Sequence, residues 1–119
     1  MKRTLGTVRD IQPNKPIPWL ELCLPRDLKR RYRWHHGQEI LLLLDAGDPW
    51  RGTVGSKSPG HLYVHTGVER RGKKERMPDL LLAMGVAPGA ELEFGMPSPM
   101  ELRLLTIKKQ GHFSPNRGM

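Results

Sequence analysis

A pattern that occurs twice is the feature that most constrains how this chain can fold. In residues 24–40, and again in residues 77–92, a proline begins a helix and a leucine follows three residues later. An apolar residue, a two-residue spacer, a glycine and a strand then follow in both copies. Proline favours the first turn of a helix, and glycine permits a tight turn into the next strand. The repetition predicts an internal pseudo-twofold axis, although common proline and glycine punctuation can also produce such an echo by chance.

The rest of the chain has the character of short strands. Apolar or alternating segments bounded by Gly, Pro, Asn and Asp are typical of strands. They cover residues 5–8, 19–24, 38–45, 50–54, 61–66, 90–94 and 101–107. Two short proline-started helices accompany them, and the first is expected to end near residue 36. The run at residues 40–44 is apolar on both faces, so that strand is expected to be central and buried on both. The pattern predicts a mainly β class. We therefore expect one domain over residues 1–107 and a basic, flexible tail over residues 108–119, which has little to bury.

The balance of charge limits the partners. Twenty Lys and Arg face twelve Asp and Glu, which gives a formal net charge of +8. Nucleic acid is the commonest partner of so basic a chain, anionic membrane is the next, and a basic protein without a polyanionic ligand is the remaining alternative. No apolar stretch follows Met1, and the longest apolar run, residues 40–44, is too short to cross a bilayer. These features predict a cytoplasmic protein that does not bind membranes.

Catalytic and metal-binding patterns are lacking in the sequence. The single cysteine, Cys23, lies in an apolar run and is expected to be a buried core thiol. His35 and His36 are adjacent and have no further ligand at a fitting spacing. Asp45 and Asp48 flank a turn and do not form the carboxylate cluster that Mg²⁺ needs in a nuclease. We therefore expect no enzyme activity, no metal and no cofactor.

An ordered series of segments carries a resemblance to a known group. Residues 24–32 read Leu-Pro-Arg-Asp-Leu followed by a basic helix, and the Gly37 turn, the strand at residues 40–44 and Trp50 come after it. The series ends with Tyr-Val-His-Thr-Gly at residues 63–67 and a helix–glycine–strand unit. From about residue 5 to 94 the chain resembles the DNA-binding pseudobarrel superfamily. That group includes the plant B-three transcription-factor domain and the effector domains of some bacterial restriction endonucleases.

The resemblance implies a seven-stranded open pseudobarrel with two short helices, which grips the major groove of duplex DNA between two arms. Arm 1 is the loop at residues 9–18, and arm 2 is the hairpin at residues 54–63. The positions expected to contact base edges are Arg9, Asp10, Gln12, Asn14, Lys15, Ser56, Lys57, Ser58, His61 and Tyr63. The positions expected to contact phosphates are Arg26, Lys29, Arg30 and Arg51. Arginine can bond guanine bidentately, Asn and Gln can bond adenine, and basic side chains hold phosphates without reading sequence.

Two functions follow from this reading. The first is sequence-specific binding of double-stranded DNA by a monomer, as a transcription regulator or as the recognition module of a restriction-type system with a nuclease or regulatory partner protein. The alternative is an AbrB-like antitoxin or another protein-interaction barrel that acts as a subunit. AbrB-like units are shorter, so a single chain that holds both halves favours the monomer. RNA is a weaker third candidate, because the sequence lacks the aromatic sheet signature of single-strand binders.

Overall fold

A computed structural model describes residues 2–16, 18–44, 49–57, 61–66 and 80–113, without the side chains of Lys57 and His61. The elements in chain order are β1 (Lys2–Asp10), β2 (Leu20–Leu24), α1 (Asp27–Tyr32), β3 (Glu39–Leu43), β4 (Trp50–Lys57), β5 (His61–His65), α2 (Leu80–Ala83), β6 (Glu91–Ser98) and β7 (Glu101–Lys109). The predicted class, mainly β with two short helices and seven strands, is confirmed.

The strands form a barrel in the order β1-β2-β5-β4-β3-β7-β6. We expected an open barrel, whereas β6 pairs back with β1 and closes the ring. β1 begins at Lys2 rather than Leu5, and its additional residues extend the pairing with β6 as far as Lys2 and Met96. Hydrophobicity could not predict this extension, because the first residues of β1 are polar. Among the described strands, β3 and β7 are the one parallel pair.

Alternation along each strand fills the barrel with aliphatic side chains, as expected for a barrel of this size. The inward side chains of the four strands β1, β2, β5 and β4 are almost wholly buried. They include Val8, Leu20, Leu22, Leu24, Val54, Leu62 and Val64. Leu28 of α1 and Leu80 and Leu81 of α2 are also buried in this core. Each short helix is therefore held by the apolar side chains that it presents to the barrel.

The predicted internal pseudo-twofold is confirmed by backbone hydrogen bonds. Gly37 N–H donates to the Val54 carbonyl, and Val54 N–H donates to the Gln38 carbonyl, both at 2.8 Å. In the other half, residues 89–90 make the same two bonds with Val8, at 2.8 and 2.9 Å. The glycine that opens each pair is left-handed, with φ of 86° and 89°. The proline that begins the second copy, Pro78, lies outside the described residues.

The axis that relates the halves passes between Leu22 of β2 and Val64 of β5, which are register partners. It exchanges β1 with β4, β2 with β5, and β3 with β6. A Cβ added at Gly6 would lie 2.5 Å from Leu22, and one added at Gly52 would lie 2.6 Å from Val64. Both glycines thus allow the same close approach of neighbouring strands. Among the described strands β7 has no counterpart, since it runs parallel to β3 and antiparallel to β6.

Two element boundaries and the burial of one residue differ from expectation. α1 ends at Tyr32 rather than near residue 36, because Arg33 takes a left-handed conformation with φ 55°. Leu41 of β3 is exposed although its apolar run predicted burial on both faces, since only one face of a barrel strand points inward. β7 continues to Lys109, past the expected boundary at residue 107.

The segment after β7 is attached to the barrel. The Gln110 carbonyl accepts a hydrogen bond from Ala87 N–H at 3.1 Å, and His112 N–H donates to the Pro88 carbonyl at 3.0 Å. Residues 108–113 are therefore part of the folded unit rather than of a tail, whereas residues 114–119 lie outside the described part of the chain. Within the described ranges, no helix is long and apolar enough to cross a membrane.

Candidate nucleic-acid interface

The outward face of the sheet β1-β2-β5-β4 carries two rows of side chains, each spanning the four strands. Successive register partners form the first row, which consists of Arg9, Glu21, His65 and Thr53. The second row is formed in the same way by Thr7, Cys23, Tyr63 and Gly55. The pseudo-twofold axis exchanges these rows. We call them the charged row and the neutral row, because acidic and basic side chains occur only in the first.

Glu21 is the least expected member of the charged row. It is 2% exposed although it points away from the barrel core. Its Oε1 pairs with the Arg9 guanidinium, and its Oε2 is 3.1 Å from His65 Nε2. A buried carboxylate is tolerated only when it is paired and hydrogen-bonded, and here each oxygen has a partner. Neither Glu21 nor His65 is among the positions expected to contact DNA, although Glu21 lies between Leu20 and Leu22 on β2 and alternation therefore points it outward.

Aromatic rings surround His65 on this face. The ring centroid of Trp19 lies 5.8 Å from that of His65, and the centroid of Tyr63 lies 4.8 Å from it. These spacings are typical of packed aromatic pairs. An open cavity of about 400 Å³ lies beside them, and it is lined by Arg9, Asp10, Ile11, Glu21, Tyr63 and His65. The centre of the outer face is therefore a shallow, polar and aromatic depression next to arm 1.

Arm 1 is closed at its base by Asp10. The Oδ1 of Asp10 accepts hydrogen bonds from the backbone N–H of Gln12 at 3.0 Å and of Trp19 at 3.3 Å. Ile11 N–H donates to the Trp19 carbonyl at 2.9 Å. Asp10 Oδ1 therefore holds the base of arm 1 together, and the expected contact of Asp10 with a base stays a prediction.

The polar side chains of arm 1 beyond this closure remain accessible. Asn14 and Lys15 are exposed and Gln12 is half-buried. Lys15 N–H donates to the Gln12 carbonyl at 3.1 Å, which forms a turn at the tip. Arg9, at the start of the arm, keeps 54% of its side chain exposed while it pairs with Glu21. These four residues stay in the predicted base-contact set.

Arm 2 is tied to α1. The Lys29 ammonium donates to the Ser56 hydroxyl at 2.9 Å, and Ser56 N–H donates to His36 Nδ1 at 3.2 Å. A predicted phosphate contact and a predicted base contact therefore lie side by side. Ser58 lies outside the described residues, and so do the side chains of Lys57 and His61, which are backbone partners at the end of the hairpin.

Tyr63 is largely covered, although it contributes to the lining of the cavity beside arm 1. It is 6% exposed, and its ring fills the space that a side chain at Gly55 would need. The base contact of Tyr63 stays a prediction, and its packing against Gly55 makes it part of the framework of arm 2. Alternation along β5 places Tyr63 on the outer face, but alternation does not reveal whether an outward side chain is covered.

The four predicted phosphate contacts are all exposed, and they occur at both ends of the outer face. Arg26, Lys29 and Arg30 belong to α1 or its N-cap, which follows β2 at the end where arm 2 begins. Arg51 lies at the other end, near the start of β4. Basic side chains thus flank the two rows on both sides.

Cys23 lies in the neutral row and not in the barrel core, contrary to expectation. It is half-buried, and its Sγ is 3.9 Å from Glu21 Oε1. Burial raises the pKa of the Cys23 thiol, the negative charge of Glu21 raises this pKa further, and the positive charge of Arg9 opposes the rise. The thiol is therefore held in its protonated, weakly reactive form.

Comparison of the chain with known protein families, with curated proteins and with solved structures finds no match. Among the described residues, no group of three or more His, Cys, Asp and Glu side chains could hold a metal ion.

Proposed function

We propose that this chain binds double-stranded DNA in a sequence-specific manner, with arms 1 and 2 contacting base edges in the major groove. It would act as a monomeric regulator or as the recognition module of a restriction-type system. One observation carries the proposal: both arms leave the same four-stranded sheet, at opposite ends, and the pseudo-twofold axis relates one arm to the other.

The separation of the arms suits a duplex. Arm 1 joins β2 level with Thr66 of β5, and arm 2 joins β5 at His61. Five residues of strand at about 3.3 Å each separate these points, which gives about 17 Å. The major groove is about 12 Å wide, so a face of this length can span its opening while the arms at the two ends reach into it.

The charges on this surface also support duplex DNA. The net charge of +8 provides the long-range attraction, and the exposed cations Arg26, Lys29, Arg30 and Arg51 flank the outer face. Such contacts give affinity without sequence information. Arginine and amide side chains at Arg9, Gln12 and Asn14 have the chemistry that distinguishes base pairs. Positioning groups and reading groups are thus both available on one side of the barrel.

The test is selection from a pool of random duplexes by the full chain. The wild type is expected to enrich a short motif. Asn14→Ala is expected to relax one position of that motif, because it removes an exposed amide at the tip of arm 1. Lys29→Ala is expected to leave the motif unchanged and to weaken all sequences alike. A pool that shows no enrichment, or an identical weakening by both variants, would contradict the proposal.

A protein-interaction barrel is the second candidate, and one surface favours it. Leu41 is 36% exposed and Met100 is 42% exposed, and they are joined by a 2.8 Å hydrogen bond from Leu41 N–H to the Met100 carbonyl. Leu41 lies in β3 and Met100 immediately precedes β7, so both lie on the side of the closed barrel where these two strands pair, away from the two rows. An antitoxin or subunit of this kind would self-associate, so sedimentation equilibrium distinguishes the candidates: a dimer that Leu41→Lys dissociates would favour the second.

A further inference from the structure

We infer that Glu21 and His65 are positioning residues that hold Arg9 to read a guanine at the arm 1 end of the DNA site. The inference rests on the proposed function and specifies one base pair of its ligand. It follows from the contacts that join Arg9, Glu21 and His65 within the charged row.

Arg9 is fixed in position and remains accessible to a ligand. Its guanidinium is fixed at one point by a carboxylate that is itself 97% buried, while about half of the arginine side chain stays exposed. A guanidinium has five N–H donors, and the Arg9–Glu21 ion pair is formed through Nη2. Because 54% of the Arg9 side chain is exposed, donors outside this pair can reach a ligand from a side chain whose position is already set. Such preorganisation reduces the entropy lost on binding.

Glu21 is itself held in place by His65 and the aromatic rings that contact it. Its other oxygen is held by His65, and the His65 ring packs against Trp19 and Tyr63. Trp19 in turn ends arm 1 and bonds Asp10 through its backbone N–H. Arg9 begins the arm that Trp19 ends. The arm and its arginine are therefore fixed to one another through Glu21 and His65.

The negative charge of Glu21 makes Arg9 better suited to a base contact than to a phosphate contact. A buried carboxylate beside a cation cancels most of the attraction for a phosphate, so it would weaken an arginine that served as a phosphate clamp. It does not interfere with directional hydrogen bonds to neutral acceptors. Guanine offers two such acceptors, O6 and N7, in the spacing that a guanidinium matches bidentately. A fixed arginine with its charge compensated thus suits guanine.

The Arg9–Glu21–His65 arrangement occurs at one end of the outer face and is not repeated at the positions related to it by the pseudo-twofold axis. At the equivalent positions of the neutral row, Gly55 replaces Arg9 and Tyr63 replaces Glu21. The two ends therefore present different chemistry on the same backbone. A guanine is expected on the arm 1 side of the recognised sequence, without a symmetry-related guanine on the arm 2 side.

The experiment combines a protein variant with a base analogue. The motif selected by the wild type is prepared with each guanine replaced in turn by 7-deazaguanine, which lacks the N7 acceptor. Binding is measured for the wild type, for Glu21→Gln and for Glu93→Gln. Glu93 is the matched control, because it also faces outward and pairs with an arginine of β1, Arg3, at 3.8 Å.

The wild type and Glu93→Gln are expected to lose about tenfold in affinity when the critical guanine is replaced. Glu21→Gln is expected to show that loss already on the natural duplex and little more with the analogue. Its affinity for unrelated duplexes is expected to stay equal or rise, because a negative charge has been removed. A purely structural or purely electrostatic role of Glu21 would not separate specific from non-specific binding in this way.

Equal loss on base replacement in the wild type and in Glu21→Gln would overturn the inference while leaving the proposed function intact. Absence of duplex binding by the wild type would overturn both. If thermal melting shows that Glu21→Gln is unfolded, His65→Leu replaces it, since it removes the second support of Glu21 and keeps the Arg9–Glu21 pair. An undiminished guanine preference in His65→Leu would equally overturn the inference.

Discussion

Lys29 and Ser56 are 27 residues apart in the sequence, and the Lys29 ammonium donates a 2.9 Å hydrogen bond to the Ser56 hydroxyl. This bond joins the basic helix α1 to arm 2. It means that a cation expected to hold the DNA backbone is set in position by the hairpin expected to enter the groove. Affinity and base recognition are therefore structurally linked at this end of the barrel.

Removal of that cation gives the first prediction. Lys29→Ala is expected to weaken binding to all duplexes by a similar factor and to reduce the slope of log affinity against log salt by about 0.9, which is the effect of one lost phosphate contact. Arg103→Ala is the matched control, because Arg103 is an exposed cation of β7, away from the two rows. Fluorescence anisotropy over a salt series measures both. A loss confined to one sequence would contradict a phosphate role for Lys29.

Asp10 is expected to support the shape of arm 1. Asp10→Ala removes the acceptor for two backbone N–H groups, those of Gln12 and Trp19, and each such loss typically costs about 1 kcal/mol. We expect the free energy of unfolding to fall by about 1–2 kcal/mol in urea titration. The control is Asp27→Ala, since Asp27 is exposed in the first turn of α1. An equal effect of both variants would show that Asp10 does not close the arm.

Gly55 is expected to tolerate no side chain while Tyr63 is present. Gly55→Ala places a methyl group where the Tyr63 ring lies, and overpacking of this kind costs about 1–3 kcal/mol of folding free energy. Combined with Tyr63→Ala, the same change is expected to cost clearly less than the sum of the two single effects. The measurement is a double-mutant cycle by urea unfolding. Additive effects would mean that the two residues do not compete for space.

The reactivity of Cys23 reports on the charges around it. Because its pKa is raised and the thiolate is the reactive species, its reaction with a disulfide reagent at neutral pH is expected to be slower than that of a free cysteine. Glu21→Gln removes a group that raises the pKa, so the half-point of the rate–pH profile is expected to move to lower pH. Arg9→Ala removes a group that lowers the pKa, so the half-point is expected to move to higher pH. Shifts in the reverse directions would contradict the arrangement of Arg9, Glu21 and Cys23.

The repeated helix–glycine–strand pattern was sufficient to predict the internal axis, because proline and glycine have few structural alternatives at those positions. The tripeptide Gly-Thr-Val is a second sign of the axis in the sequence. It occurs at residues 6–8 and again at 52–54, where β1 approaches β2 and β4 approaches β5 equally closely. The extra length of β1 and β4 could not be predicted from hydrophobicity, since their end residues are mostly polar. Pairing with neighbouring strands determines those ends.

The candidate interface was predicted only in outline. Exposed polar groups on the two loops, such as Asn14, could be recognised from residue type and position. The pairing of Glu21 with Arg9 and His65 joins three strands, and His65 is 44 residues from Glu21 in the sequence, so no local pattern indicates it. The burial of Tyr63 likewise depends on Gly55 in a neighbouring strand. Contacts across strands thus account for what the sequence did not reveal.

The most direct test of duplex-DNA binding compares three ligands of equal length: a duplex with the selected motif, the matching single-stranded DNA and the matching RNA. We predict preference for the duplex and a slope of log affinity against log salt of about −4, since four phosphate contacts each contribute about −0.9. Equal affinity for all three ligands, or binding that does not respond to salt, would contradict the account.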